Sequence, residues 1–313
     1  MPVAGLLFLL LQLNNIPVQV SHGGNSTGGV ALSRDGKLLA YALEEGGSPS
    51  SLWLRDVATG KDTRLPPLGT YGRSIVFSPD GKSIYFLHDR PNKPGTTDLQ
   101  ERALDGATPT AKTRVEDVDS PITFSPDGKS FAFIRFVPGK GAHLIAAAVG
   151  GKVGEREVIS WPESERGVAS PAWSPDGNEV AVARRLRGAN QIFFIPTGKG
   201  QPHQLSAPER VFGLAWSKGG LFVLMAAPGL GSVCQVWRVS LPDGRWSQIT
   251  KDEAGYDNNR LAASEDGSLV ATSRFKLANT GMDDLLKWVG GEKAAVRIHP
   301  DVVLIRTPFI PPK

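Results

Sequence analysis

One match to a catalytic motif occurs in the sequence, at Gly24-Asn25-Ser26-Thr27-Gly28, which has the G-x-S-x-G spacing of the nucleophile elbow of α/β-hydrolases. That elbow places its serine on a sharp turn between a strand and a helix. Here a polar, glycine-rich link leads into a β-hairpin motif that recurs along the chain. We therefore interpret the match as a chance one, and the sequence predicts no catalytic residue.

Residue types that bind metals are present but scattered. The five histidines stand far apart, at positions 22, 88, 143, 203 and 299, and no H-E-x-x-H pair occurs. The acidic segment Glu116–Asp119 lacks the spacing of a calcium-binding loop. Cys234 is the only cysteine, which excludes an intrachain disulfide and a thiolate cage. The sequence therefore predicts no metal site and no cofactor.

Composition indicates a folded, mildly basic chain. Of 313 residues, 40% are hydrophobic and 21% are charged, which excludes a disordered chain. The net charge is +4 and the isoelectric point is about 9.2. Nucleic-acid binders usually concentrate Lys and Arg on one face, whereas the densest cluster here, Arg184–Arg187, is interpreted as a solvated hairpin. We therefore predict no nucleic-acid partner.

The N-terminal segment is uninterrupted apolar sequence from Val3 to Leu11 and extends to Leu13 past Gln12. It is too short to cross a bilayer as a helix, which needs about 20 apolar residues. Two interpretations stay open, the core of a signal peptide and the remnant of a membrane anchor from a longer protein. Both predict membrane proximity through residues 3–13 and a periplasmic or other extracytoplasmic location.

The chain contains six copies of one short motif, spaced at nearly regular intervals. At the position of its aspartate the copies follow each other at steps of 45, 47, 49, 43 and 47 residues. The fifth and sixth copies are the weakest, and the fifth has glycine in place of the aspartate. The six copies begin at Leu32, Phe77, Phe124, Trp173, Trp216 and Ala263. A period of this length is typical of the blades of a β-propeller.

The motif predicts a hairpin turn, and its surroundings predict four strands per copy. In Ser-Pro-Asp-Gly, the serine opens a type I turn, proline presets φ, and glycine accepts the left-handed conformation that closes it. A third apolar run follows 18 residues after the aspartate position, at Trp53, Ile145, Phe194 and Trp237. A fourth short strand ends each unit. The sequence therefore predicts an all-β fold, a six-bladed β-propeller of four-stranded antiparallel blades.

The ends of the chain bear on how the ring closes. Residues 18–21 match the fourth-strand pattern, so we predict that they pair with the last blade, near residues 257–298, and remove its exposed edge. Asp284–Val289 could supply the third strand of that blade. The predicted organisation is a hydrophobic segment over 1–15, a propeller over 16–300 and a C-terminal tail over 301–313. Residues 301–305 could instead compete for the closing position or add an edge strand.

The repeated F-S-P-D-G-K hairpins, together with L-W-x-x-D-x-x-T-G at Leu52–Gly60, resemble the WD-like propeller repeats of the TolB family over residues 18–275. The resemblance implies a six-bladed propeller, usually outside the cytoplasm, that binds other proteins. Similar propellers form the C-terminal sensor region of some bacterial membrane serine/threonine kinases, which the segment Val118–Gly128 also resembles. No kinase motif is present in the sequence.

In a propeller, the loops that enter the innermost strands surround one mouth of the central channel. Arginine and aromatic residues, which protein-interface hot spots favour, are frequent in these loops. The candidate binding residues are Arg73, Asp119, Arg166, Arg210, Phe212, Asn258 and Arg260. They predict a protein or peptide partner of acidic character, and the alternative is that these loops are simply solvated.

The leading functional hypothesis is a non-catalytic binding or sensing module. One alternative is the C-terminal sensor fragment of a receptor serine/threonine kinase. Another is a propeller associated with a prolyl-oligopeptidase-type hydrolase, for which the residues after 275 leave no room, or a propeller lyase.

Overall fold

The computed structural model describes fourteen stretches of the chain. They are residues 17–21, 26–43, 51–66, 74–90, 93, 95–105, 110–150, 154–165, 168–186, 189–226, 233–250, 256–258, 260–276 and 301–307. Within them the strands form six antiparallel sheets, which are the blades of a ring. This arrangement confirms the predicted six-bladed β-propeller.

The first three blades follow the repeat. Blade one contains β2 (Ser26–Leu32), β3 (Leu38–Leu43), β4 (Ser51–Asp56) and β5 (Asp62–Arg64). Blade two contains β6 (Ile75–Phe77), β7 (Ser83–Asp89), β8 (Thr97–Ala103) and β9 (Ala111–Val115). Blade three contains β10 (Thr123–Phe124), β11 (Ser130–Val137), β12 (Gly141–Ala148) and β13 (Arg156–Trp161). In each blade the strands pair in chain order, from the channel outward.

Blades four and five repeat this order after a single 3-10 turn at Glu163–Glu165. Blade four contains β14 (Val168–Trp173), β15 (Glu179–Leu186), β16 (Ala189–Pro196) and β17 (His203–Ser206). Blade five contains β18 (Val211–Ser217), β19 (Gly220–Ala226), β20 (Cys234–Ser240) and β21 (Arg245–Gln248). The predicted third-strand positions Trp53, Ile145, Phe194 and Trp237 lie in β4, β12, β16 and β20.

The repeated motif forms the predicted turn. In blade four the N–H of Gly177, at a φ of 82°, donates to the carbonyl of Ser174 at 3.0 Å. The buried Ser174 hydroxyl donates to Asp176 at 2.6 Å and accepts from the N–H of Glu179 at 2.9 Å. Asp176 also accepts from the N–H of Asn178 at 3.0 Å. The same bonds recur at Ser33, Ser78, Ser125 and Ser264.

Six clusters of buried side chains hold the ring together, one between each pair of neighbouring blades. Successive residues of a strand point to opposite faces of its sheet, so every blade contributes to two clusters. Leu39, for example, packs in one cluster with Val302 of blade six. Its neighbour Ala40 packs in the next cluster with Phe86 of blade two. The apolar core is therefore continuous around the ring.

Blade six is completed by the N-terminal strand. Its innermost strand is interrupted, because β22 (Tyr256–Asn258) and β23 (Ala262–Ala263) both pair with β24 (Leu269–Lys276). β24 pairs with β25 (Asp301–Arg306), which pairs with β1 (Pro17–Gln19). This confirms that the N-terminal strand pairs with the last blade, as its fourth strand.

The third strand of blade six lies in the segment that the repeat pattern left as a C-terminal tail. It is β25, whereas Asp284–Val289, the segment considered for this position, lies outside the described residues. The repeat pattern missed β25 because residues 277–300 separate it from β24. In blades one, three, four and five the third strand follows the turn motif at a fixed spacing, so spacing alone identifies it; in blade two a longer insertion at residues 91–95 breaks that spacing.

Candidate functional site at the ends of the central channel

The innermost strands of all six blades surround a central channel that contains a cavity of about 380 Å³. Its wall is formed by apolar and hydroxyl side chains of these strands, among them Val30, Val76, Thr123, Ala172, Leu214 and Ala262. The only formally charged residues among those that line the cavity in the described stretches are Arg34, Arg260 and Glu265. The chemistry of the channel is therefore concentrated at its two ends.

The two ends differ in the part of the blade that forms them. At the entry end, the chain enters each innermost strand, and the lining residues are Ser74, Pro121, Ser170, Phe212 and Arg260. At the turn end, the hairpin motifs leave each innermost strand, and the lining residues include Arg34, Pro79, Pro126, Pro175 and Glu265.

Arg210 and Phe212 form a cation–π interaction at the entry end. The guanidinium carbon of Arg210 lies 4.9 Å from the centre of the Phe212 ring, and the Arg210 side chain is exposed. The carbonyl of Arg210 accepts from the N–H of Ala226 at 2.9 Å. The hydroxyl of Ser170, in blade four, donates to the carbonyl of Phe212 at 3.2 Å. These backbone bonds fix the start of β18, so the Phe212 ring lines the channel with the Arg210 guanidinium stacked on it.

The acidic segment Glu116–Asp119 is held by hydrogen bonds and ion pairs within the protein. Asp119 accepts the N–H of Phe136 at 2.8 Å. Arg135 donates to the carbonyls of Asp117 at 2.9 Å and Glu116 at 2.8 Å. Arg90 pairs with Glu116 at 3.1 Å and with Asp117 at 3.4 Å. The candidate residue Asp119 therefore contributes to loop structure, and Arg90 pairs with two of the carboxylates of the segment.

The remaining candidate residues are placed unevenly. Arg260 lines the channel between β22 and β23, and Asn258 lies in β22, opposite Arg274 in the strand register. Arg73 and Arg166 lie outside the described residues. The structure thus brings Arg260 and the pair Arg210–Phe212 to one end of the channel, and it does not test the other two arginines.

A second charged group, which the sequence reasoning missed, lies at the turn end. Arg34 donates from Nε to Glu265 at 2.6 Å, from Nη2 to the same carboxylate at 3.1 Å, and from Nη1 to the carbonyl of Pro126 at 2.5 Å. The ammonium group of Lys218 lies 2.8 Å from Glu265. We call Arg34, Pro126, Lys218 and Glu265 the turn-end cluster; it joins blades one, three, five and six.

Because Arg34 belongs to blade one and Pro126 to blade three, the Arg34 side chain crosses the end of the channel past blade two. The hydrogen bonds from Arg34 are the main cause that lowers the pKa of Glu265, so this carboxylate stays ionised at neutral pH. Backbone hydrogen bonds reinforce the contact. The N–H of Lys218 donates to the carbonyl of Glu265 at 2.8 Å, and the N–H of Glu265 donates to the carbonyl of Arg34 at 3.0 Å. The turn end is therefore bridged by side chain and backbone.

The turn-end cluster had a signal in the sequence. Arg34, Lys218 and Glu265 occupy the motif position at which the other three copies carry proline. Sequence reasoning treated this position as turn structure only, and ring closure brings the three charged copies together.

The described residues do not assemble the other chemistries considered. Ser26 is the first residue of β2, a strand that continues into the hairpin, and this is not the strand–turn–helix of a nucleophile elbow. His143 pairs with Glu157 at 2.7 Å, whereas His203 lies 3.4 Å from Glu179 in another blade. In the described stretches no three His, Cys, Asp or Glu residues are grouped as a metal site would require.

A scan against protein-family models finds no match, and a search of curated proteins finds none either. Solved structures do match. TolB from Acinetobacter baumannii has a TM-score of 0.60 at 15% identity, over 88% of this chain and 65% of that chain. A protein assigned to TolB from Agrobacterium tumefaciens has a TM-score of 0.61 at 16% identity, over 74% of this chain and 82% of that chain.

An enzyme is also among the similar structures. Oligogalacturonate lyase from Vibrio parahaemolyticus has a TM-score of 0.57 at 10% identity, over 93% of each chain. These identities are low, so the similarities show the fold alone, a TolB-like propeller. The chain spans 65% of the length of the A. baumannii TolB structure. No helix in the described part of the chain is long and apolar enough to cross a membrane.

Proposed function

We propose that this chain is a non-catalytic, extracytoplasmic propeller that binds an acidic segment of another protein at the entry end of its channel. The observation that carries the proposal is the exposed Arg210 stacked on Phe212, with Arg260 lining the same channel. Arginine and aromatic side chains held in place by the fold are typical of interface hot spots.

Charge and geometry support an acidic ligand at this end. Arg210 is exposed, and its stacking on a fixed ring restricts the conformations that binding would otherwise have to restrict. Arg73 and Arg166, which the sequence pattern assigns to loops at the same end and which lie outside the described residues, remain part of the proposal.

The proposal is tested with immobilised octapeptide libraries. Purified protein is passed over beads that carry an Asp- and Glu-rich library and over beads that carry a Ser-, Thr- and Gln-rich library. We expect retention on the acidic beads, and a loss of about tenfold in Arg210→Ala and in Phe212→Ala. The melting temperature of Arg210→Ala should stay within about 2 °C of wild type, because Arg210 is exposed. Phe212→Ala should lower it by a few degrees, because Phe212 packs against the buried cluster between blades five and six.

The matched control is Arg245→Ala. Arg245 is an exposed arginine on the outermost strand of the same blade. Its substitution by alanine removes the same charge as Arg210→Ala. If Arg245→Ala and Arg210→Ala reduce retention equally, binding follows net charge and the proposed site is wrong.

A further inference from the structure

The channel differs from a through-passage because the turn-end cluster crosses it. A chain that threaded the channel would have to break the hydrogen bond from Arg34 to the carbonyl of Pro126 and the two hydrogen bonds from Arg34 to the carboxylate of Glu265. Hydrogen bonds in which one partner is charged are stronger than those between neutral groups. A ligand that arrives from the entry end therefore meets a closed end.

The charges around the channel favour an anion at its closed end. At that end Arg34 and Glu265 line the cavity, and Lys218 contacts Glu265 at 2.8 Å. Two cations thus stand against one carboxylate at the closed end, whereas Arg260 lines the entry end. The other lining residues in the described stretches are uncharged, and a narrow channel with low-dielectric walls concentrates the field of such groups.

The size of the cavity restricts the ligand further. Its volume of about 380 Å³ lies near the lower end of the range for small-ligand pockets, about 300–1,000 Å³. That space accommodates a few residues of a single extended chain. A loop that reached the same depth would place two chain segments side by side and would need more volume than a single chain that ends there.

We infer that the channel binds the free carboxyl end of an acidic chain, inserted from the entry end with its terminal carboxylate toward Arg34. This inference rests on the proposed function, because it uses the same entry end. It adds the chemical identity of the inserted group: a terminal carboxylate rather than an internal acidic segment.

The test attaches one acidic octapeptide library to beads in three ways. The peptides are tethered through the N-terminus with a free carboxyl end, through the N-terminus with an amidated end, or through the C-terminus. We expect about tenfold more retention on the free carboxyl form than on either other form, since those lack the terminal charge. Equal retention on all three would overturn end insertion and leave the proposed acidic binding intact. Retention on none would overturn both.

Two substitutions at the turn end should change retention on the free carboxyl beads in opposite directions. Arg34→Gln removes a cation, so we expect about threefold less retention. Glu265→Gln removes the opposing carboxylate, so we expect about threefold more, a gain that a folding defect would not produce. Lys112→Gln and Asp105→Asn, both at exposed positions of blade two outside the cavity lining, make the same charge changes as controls. Parallel changes in the controls would overturn the assignment to the channel.

Discussion

The serine of the repeated motif is the residue on which each hairpin turn depends most. The buried Ser174 hydroxyl donates to Asp176 and accepts from the N–H of Glu179. Ser174→Ala removes the acceptor and leaves that N–H without it, so we expect a loss of about 1–3 kcal/mol in unfolding free energy, measured in urea. Ser247→Ala, at an exposed position on β21, should change it by less than about 0.5 kcal/mol. A loss no larger than that of the control would contradict this role.

Acid should destabilise the propeller through the motif aspartates. The Ser174 hydroxyl, and after it the N–H of Asn178, lower the pKa of Asp176 below its ordinary value of 3.8. The folded state then binds the proton less tightly than the unfolded state, so this stabilisation is complete above about pH 4 and is lost as pH falls through the lowered pKa. The pKa values of Asp35, Asp80 and Asp127 are lowered as well, with hydrogen bonds as the largest cause.

Asp176→Asn tests this pH dependence. Its unfolding free energy should fall less between about pH 5 and pH 2 than that of wild type, because the substituted side chain does not titrate. Ser247→Ala serves again as the reference and should retain the wild-type slope. An unchanged slope in Asp176→Asn would contradict the contribution of this carboxylate.

Sequence alone predicted the turn because all of its bonds lie within a few residues. It also placed Arg210 and Phe212 together, since they share one loop. It did not predict the turn-end cluster: the motif position was recognisable, but Arg34 and Glu265 are far apart in the chain and meet only when the ring closes. Asp119 shows the reverse case: its loop position suggested binding, whereas its carboxylate accepts a backbone N–H of its own protein.

At the scale of the strand, the closing strand β1 covers what would otherwise be the edge of blade six. Val20 is buried, and its N–H donates to the carbonyl of Val302 at 2.7 Å. The N–H of Val302 donates to the hydroxyl of Ser21 at 2.8 Å. Without residues 17–21, β25 would expose an unpaired edge, a template for association with other strands.

Deletion of residues 1–21 should therefore destabilise the protein and cause it to self-associate. Loss of the buried Val20 side chain alone accounts for about 1.5–3 kcal/mol. We expect a lower melting temperature by calorimetry and concentration-dependent oligomers by light scattering. Deletion of residues 1–16 retains β1 and should keep the wild-type melting temperature. If the two truncations behave alike, the closing strand contributes nothing to the ring.

The closing strand and its partner also show what sequence can and cannot predict of an element. Residues 18–21 were recognisable because they repeat the fourth-strand pattern of other blades. Asp301–Arg306 was not assigned, because no turn motif precedes it and residues 277–300 intervene. Its pairing with β24 and β1 is a property of the closed ring. The number of blades follows from local turn chemistry, and the composition of the last blade does not.

At the scale of the whole molecule, the apolar core is shared between blades. Leu39 is buried between blades six and one, and Leu144 between blades three and four. A blade cannot unfold alone without exposing the faces of both neighbours. The ring should therefore unfold as one cooperative unit even though its sequence is a repeat, because closure gives every blade two neighbours.

Leu39→Ala and Leu144→Ala test this cooperativity from opposite sides of the ring. Each substitution in a fully buried site should cost about 2–5 kcal/mol. Because the core is continuous, calorimetry should show a single transition that moves to lower temperature in both variants. Val18→Ala, at a valine whose exposed fraction is 56%, should leave the transition in place. Two separated transitions, with only one shifted by each substitution, would show that the blades on either side of the ring unfold independently.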